Sequence, residues 1–267
     1  MESTATGANR TGTAMSPANT RAMIEAVEEL TPPAVVDLSL SKALRAEFIA
    51  EAESVGSIPP PATIAGAVKT GLSTLAGNSP TTLLDKMGER LAFERSGTRL
   101  YDALMTKYEA LVRVDGERFG ATLANAQRDS AVAGDGAQGE EPLEVLRRIR
   151  AEELEHFKML SAAIERLGGD PTAQTPCADV AATAAMGYIQ VLTDPRTTLA
   201  QCLNVMLSAE LTDNAGWELL IQLADDAGQS DVAGEFLAAL GEEQQHLAIV
   251  RAWLEALMTN EIGTAAV

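Results

Sequence analysis

The sequence predicts an all-α protein, a four-helix bundle with one long crossover, preceded by an N-terminal helical extension. Three observations carry this expectation. Apolar residues make up 46% of the 267-residue chain but aromatic residues only 4%, a balance that suits closely packed helices. Four long stretches repeat apolar residues at three- and four-residue steps, and β-branched runs are few. Proline, serine and glycine stand at the ends of those stretches, where helices start and stop.

Taken in order, residues 1–19 are rich in Thr, Ala, Ser and Gly and read as disordered. Residues 20–78 hold three short helical candidates, "TRAMIEAVEEL", "SKALRAEFIAEAE" and "ATIAGAVKTGLSTLAG", cut by Pro32-Pro33 and Pro59-Pro60-Pro61. The bundle is expected over 79–260. Its first helix opens at Ser79-Pro80, a serine cap with proline in the first turn, and runs to about Val114. A helical extension at 116–128 and a surface loop, "SAVAGDGAQGEE", follow. The second helix starts at Pro142 and stops at Gly168-Gly169. A segment of about 25 residues then crosses the length of the bundle. Asp194-Pro195 opens the third helix, which ends near Gly228, and Ser230 caps the fourth, which ends near residue 259.

Charge and cysteine usage narrow the class. A net charge of −18 argues against nucleic acid or an anionic membrane as partner, since both require a basic face. Cys177 and Cys202 form no Cys-x-x-Cys pair and read as reduced core thiols. The first residues lack a basic-then-apolar signal pattern, and no run approaches the roughly 20 apolar residues of a membrane span. The expectation is a soluble, cytoplasmic protein.

The polar residues on the apolar stripes carry the chemistry. In the first helix Leu84, Met87, Leu91, Glu94, Thr98, Tyr101, Met105 and Tyr108 share one face, so Glu94 points inward. The second stripe holds Leu146, Ile149, Glu153, His156, Leu160 and Leu167. The third holds Leu203, Met206, Glu210, Trp217 and Leu220, and the fourth Phe236, Leu240, Glu243, His246, Val250 and Leu257. The chain has only two histidines, and each follows a glutamate by three residues on an inward face. Glu152, Glu155 and Glu242 fall off the stripes and read as solvated. Unpaired buried carboxylates cost several kcal/mol each or take up protons. Few lysines or arginines face inward, so two metal cations are the expected counter-charge. One glutamate from each of two helices and a Glu-x-x-His from each of the others is a dinuclear ligand set. Residues i and i+3 lie about 4.5 Å apart along the helix axis, so one metal can take both.

These motifs, "LAFERSGTRLY", "AEELEH", "MLSAELTDNAGW" and "GEEQQH" in that order, resemble those of the ferritin-like superfamily of di-iron carboxylate proteins. The resemblance covers 79–260 and is greatest to the rubrerythrin and bacterioferritin-like branch. It implies that Glu94 and Glu210 are terminal ligands, that Glu153 and Glu243 bridge, and that His156 and His246 cap one metal each. It also puts Tyr101 at the tyrosine position two turns after the first glutamate, and Asp213 where rubrerythrin-like proteins carry an extra glutamate. Tyr101 would then bond a ligand or quench a stray oxidant, the alternative being that it simply fills the core near the site, and Asp213 would pass a proton to a leaving oxygen. Both are candidate catalytic residues. Trp217, Gly97 and Gly216 read either as site residues or as packing. Residues 1–78 have no counterpart in those families.

Carboxylate- and imidazole-bound iron with open positions suits redox chemistry with dioxygen or hydrogen peroxide. The leading expectation is therefore a di-iron oxidoreductase of the peroxidase or ferroxidase kind. Two iron ions are expected, with manganese or a mixed iron–manganese pair as the alternative. Because no rubredoxin-like cysteine quartet is present, the electron donor is expected to be a separate molecule. The alternatives are an iron-binding or storage protein and a di-metal oxygenase acting on an organic substrate. A homodimer or higher homo-oligomer is expected.

Overall fold

Proline placement sets where many of the helices begin. In the computed structural model they are α1 (Pro17–Leu30), α2 (Ser39–Glu51), α3 (Pro80–Asp129), α4 (Pro142–Arg166), α5 (Pro176–Thr193), α6 (Leu199–Asp226) and α7 (Ser230–Thr264). Of these seven, which are the α-helices among the described residues, four start on proline, whose missing N–H falls where a helix has no internal acceptor for it. A 3-10 turn, Thr13–Met15, precedes them. The structure describes residues 7–9, 11–32, 37–61, 80–129 and 139–264, with the backbone alone at 80, 115–118, 129 and 261–264. Among the described residues there is no strand, and the chain is all-helical. No helix among them is long and apolar enough to cross a membrane.

The chain divides into two units, Glu2–Ser54 and Val55–Val267. The first holds α1 and α2, neither of which has a buried residue. Helix α1 begins at Pro17, inside the stretch expected to be disordered. The third short helical candidate, at 62–77, and most of the loop at 130–141 lie outside the described residues.

In the second unit α3, α4, α6 and α7 pack together, with α3 paired along α4 and α6 along α7. One apolar cluster joins the start of α3 (Leu83, Met87), the end of α4 (Leu160, Ile164), the end of α6 (Trp217, Leu220) and the start of α7 (Val232, Phe236). Helices α3 and α7 therefore run one way, and α4 and α6 the other. A second cluster gathers Leu100 and Leu104 of α3, Val145 and Ile149 of α4, Leu203 and Met206 of α6, and Val250 and Trp253 of α7. Between the two clusters lies a layer of buried polar side chains.

Three boundaries differ from the sequence reading. Helix α3 does not stop near Val114 but continues to Asp129. Phe119 and Leu123 on its second half are buried with Trp253 and Leu257 of α7, and the Trp253 indole N–H donates to the Leu123 carbonyl at 3.1 Å. Packing against α7 thus carries the helix past the point where its own pattern weakens. The crossover is itself a helix, α5, laid along α3. Its Thr175 caps it, and the Thr175 hydroxyl donates to the Asp85 carbonyl at 3.0 Å. Helix α6 begins at Leu199 rather than at Asp194-Pro195, because Thr198 and Gln201 form a reciprocal capping box. Asp194 and Thr197 instead make a turn, whose carbonyls accept from Lys107 of α3.

Candidate metal centre

The polar layer assembles one turn from each of four helices. Glu94, Glu153, Glu210, Glu243 and His246 are at most 3% exposed, as are His156 and Asp213. All six expected metal ligands therefore face the core, as their phases required. Their ligand atoms form interlocking groups, each within 4.8 Å: Glu153, Glu210, Glu243 and His246; Glu94, His156 and Glu243; and Glu94, Glu153, Asp213 and Glu243. Glu243 belongs to all three groups, and Glu94 and Glu153 to two each, so Glu243 is the carboxylate most shared between them.

Three of these atoms have no hydrogen-bond partner: both Glu94 carboxylate oxygens and one oxygen of Glu210. Buried acceptors are seldom left unmatched, since each costs about 1–3 kcal/mol. Their convergence on a common space fits a hard cation with oxygen and nitrogen ligands. Gly97 keeps that space open. A Cβ there would come within 2.0 Å of Glu153 Oε2, so only glycine lets the carboxylate lie against α3.

Both imidazoles are held from the outside by a carboxylate of the facing helix. His156 Nε2 of α4 is 2.7 Å from Glu242 of α7, and His246 Nε2 of α7 is 2.8 Å from Glu152 of α4. Each histidine thus keeps Nδ1 for the interior, where His156 Nδ1 lies 2.8 Å from Glu243 and His246 Nδ1 lies 3.1 Å from it. An outer carboxylate on a ligand imidazole fixes its tautomer and raises its basicity. Glu242 is exposed and Glu152 partly so, as expected off the stripes, yet the helix crossing also brings each to the opposite histidine. The signal was present as a repeat, since both motifs read Glu-Glu-x-x-His, at 152–156 and 242–246. Glu155 is exposed, as expected.

Electrostatics reflect the crowding of acids. Burial, reinforced by the Glu243 charge, pushes Glu153 well above the usual carboxylate range and Glu210 up to about 8. Burial likewise raises Glu94. Glu243 is also buried, yet His246 and His156 on either side hold it down at about 2. Burial opposes a charged imidazole at His156, but the Glu243 and Glu94 carboxylates beside it outweigh burial and raise its pKa to about 11. His246 moves the same way, through Glu243 and Glu152. Without metal, the layer balances its acids with protons.

The remaining expected residues fall around this layer. Tyr101 is fully buried and donates its hydroxyl to Glu210, and burial with the Glu210 charge raises its pKa well above the usual phenol range. Trp217 packs edge-on to His156, with ring centroids 5.7 Å apart, and also against Phe236. Asp213 does not stand free over the acids. It is ion-paired with the guanidinium of Arg90, a partner suited to a carboxylate and not to a proton-donating acid. Arg90, only 3% exposed, is the one buried arginine or lysine among the described residues, in keeping with the expectation that few cations face inward, but its pairing with Asp213 was not foreseen. Its place one turn before Glu94 was visible on the same stripe. Gly216 leaves room for it, since a Cβ there would meet Cζ at 2.8 Å. Asn214 also escaped sequence reasoning. Its amide donates to the Glu210 carbonyl at 2.9 Å and the Glu243 carbonyl at 3.2 Å, tying α6 to α7 beside the acids. The cysteines are free, and Cys202 is buried away from this layer in the second cluster.

Comparison with family models, curated proteins and solved structures finds no match to this chain.

Proposed function

We propose that the chain is a ferritin-like dinuclear carboxylate oxidoreductase that uses two iron ions to reduce hydrogen peroxide or dioxygen. The observation that supports this most is the pair of Glu-x-x-His motifs on facing helices, each imidazole backed by a carboxylate from the other helix. Glu94 and Glu210 would hold one metal each from the outside, Glu153 and Glu243 would bridge, and His156 and His246 would complete the set through Nδ1. Two iron ions so held supply two electrons to a bound oxidant. The chain's own part is to order the ligands and control protons. Glu152 and Glu242 keep the imidazoles turned inward, and Tyr101 holds Glu210 by a hydrogen bond. The two apolar clusters above and below exclude bulk water from the layer. Manganese or a mixed pair meets the same ligand chemistry.

The oxygenase alternative needs a substrate cavity lined by the ligands. The hollow of about 220 Å³ between α3 and α5 includes Phe93 and Leu100 in its lining but none of the candidate ligands. The oxygenase reading therefore draws no support from that hollow.

The test is metal analysis of anaerobically purified protein, followed by stopped-flow mixing of the reduced form with peroxide and with dioxygen. Two iron atoms per chain and faster oxidation by peroxide are expected. Mineral accumulating well beyond two irons per chain, in an assembled particle, would shift the reading to storage. Tight binding of no metal at all would end it.

A further inference from the structure

Among the described residues Arg90 is the one buried lysine or arginine. It sits on α3, one turn before Glu94. Its Nη1 donates to the Asp213 carbonyl at 3.0 Å and pairs with the Asp213 carboxylate, while Nε lies 4.0 Å from Glu94 Oε1. The guanidinium rests over the Phe93 ring, 4.4 Å from its centroid. Such a site is costly to build, and as a scaffold it has little merit. Buried ion pairs can often be replaced by apolar residues with no loss of stability.

Its position relative to the acids gives it a purpose. Asp213 belongs to the same tight group as Glu94, Glu153 and Glu243. With Glu210, five carboxylates are buried here against one guanidinium, which leaves four negative charges. Two divalent cations with two neutral imidazoles cancel those charges. Two trivalent cations overshoot them by two. Glu152 and Glu242 are open to water, which screens them.

We propose that Arg90 is a fixed third cation of the centre, which holds Asp213 as its counter-ion and biases the site toward two divalent ions over two trivalent ones. This inference rests on the dinuclear metal reading above. It makes Asp213 a charge partner rather than a ligand, and Arg90 a positioning residue that acts through Asp213 and through its field. In a buried layer one charge is poorly screened, so its removal should be felt at both metals.

The test uses the full chain and four variants: Arg90→Lys, Arg90→Gln, Asp213→Asn and Arg90→Gln with Asp213→Asn. Anaerobic Co²⁺ titration gives the stoichiometry of each, and spectroelectrochemistry of the iron-loaded forms gives the midpoint potential. Two Co²⁺ per chain are expected throughout. Arg90→Gln should favour the trivalent state about tenfold, a fall of about 59 mV per electron. Asp213→Asn should shift the potential in the opposite direction. The double variant restores the original charge and should return near the unmodified value, as should Arg90→Lys. A merely structural role predicts damage that accumulates in the double variant. Potentials that do not move, or a double variant that keeps the Arg90→Gln shift, would overturn the inference while two Co²⁺ still bind. If Arg90→Gln does not fold, the remaining three variants decide, with Asp213→Asn alone expected to depart upward. Failure of the unmodified chain to bind two Co²⁺ would remove the metal reading and this inference with it.

Discussion

At the scale of single residues, the centre depends on side chains that do not themselves face its interior. Glu152 and Glu242 reach His246 and His156 from outside, across the helix pair. Removing such outer carboxylates typically costs roughly 10–100-fold in metal affinity. The Glu152→Ala and Glu242→Ala variants should therefore each bind two Co²⁺ per chain more weakly by about that factor, measured by competition with a chelator. Unchanged affinity in both would mean that the imidazoles need no such support. Gly97 makes a second test. Alanine in a helix is ordinarily favourable over glycine by about 1 kcal/mol. Here its Cβ would come within 2.0 Å of Glu153 Oε2, so Gly97→Ala should weaken binding while leaving helicity intact. Protons give a third. In the metal-free chain both imidazoles titrate far above neutrality, His156 at about 11, and Glu210 titrates at about 8. These groups hold protons near neutral pH, and metal ligands must shed them. Loading should thus release protons, and affinity should climb as pH rises toward Glu210's value and beyond. A pH-stat record showing no proton release on Co²⁺ addition near neutral pH would refute this.

At the scale of elements, α3 organises the unit, since it packs against α4, α5, α6 and α7. It is buried on more than one face: Phe93, Leu100 and Leu104 are buried beside the stripe of Met87, Leu91, Glu94 and Tyr101. The crossover helix α5 accounts for that extra face. The second half of α3 is held by Leu123 and Phe119 against Trp253 and Leu257. Leu123→Ala, at a site 1% exposed, should cost about 2–5 kcal/mol in unfolding free energy. Had the helix ended near Val114, with 123 on a mobile connector, the change would be close to neutral. Urea denaturation of the two proteins separates these outcomes.

At the scale of the whole molecule, the polar layer divides what would otherwise be one continuous core into two clusters. Stripped of metal, that layer keeps several acids against one another, relieved only by Arg90 and by protons. Bound metal stabilises the native state by mass action, about 4 kcal/mol at a thousandfold excess over Kd. For a unit of this size that is on the order of 10 °C in Tm. The metal-free protein should therefore stay helical by circular dichroism yet melt at a clearly lower temperature. Equal melting temperatures with and without metal would count against a site in this layer.

Periodicity alone was enough to place Glu94, Glu153, His156, Glu210, Glu243 and His246 on inward faces, because a buried stripe repeats every three or four residues whatever it packs against. The helical class and the starts at Pro80, Pro142 and Ser230 were legible for the same local reason: caps and prolines act within one turn. What local pattern could not decide was anything set by a neighbouring helix. The length of α3 depends on Trp253, 130 residues further along the chain, whose indole N–H donates to the Leu123 carbonyl. Asp194-Pro195 looked like a helix start until Thr198 and Gln201 formed the better cap. Glu152 and Glu242 lie off their own stripes, and only the crossing of α4 and α7 turns them onto the opposite histidine. Asp213 looked like a free acid because Arg90, which claims it, is 123 residues away in sequence and meets it only across the α3–α6 contact. Sequence determined which faces are buried; tertiary structure decided which side chains meet there, because contact between helices depends on rotation and crossing that no single helix encodes.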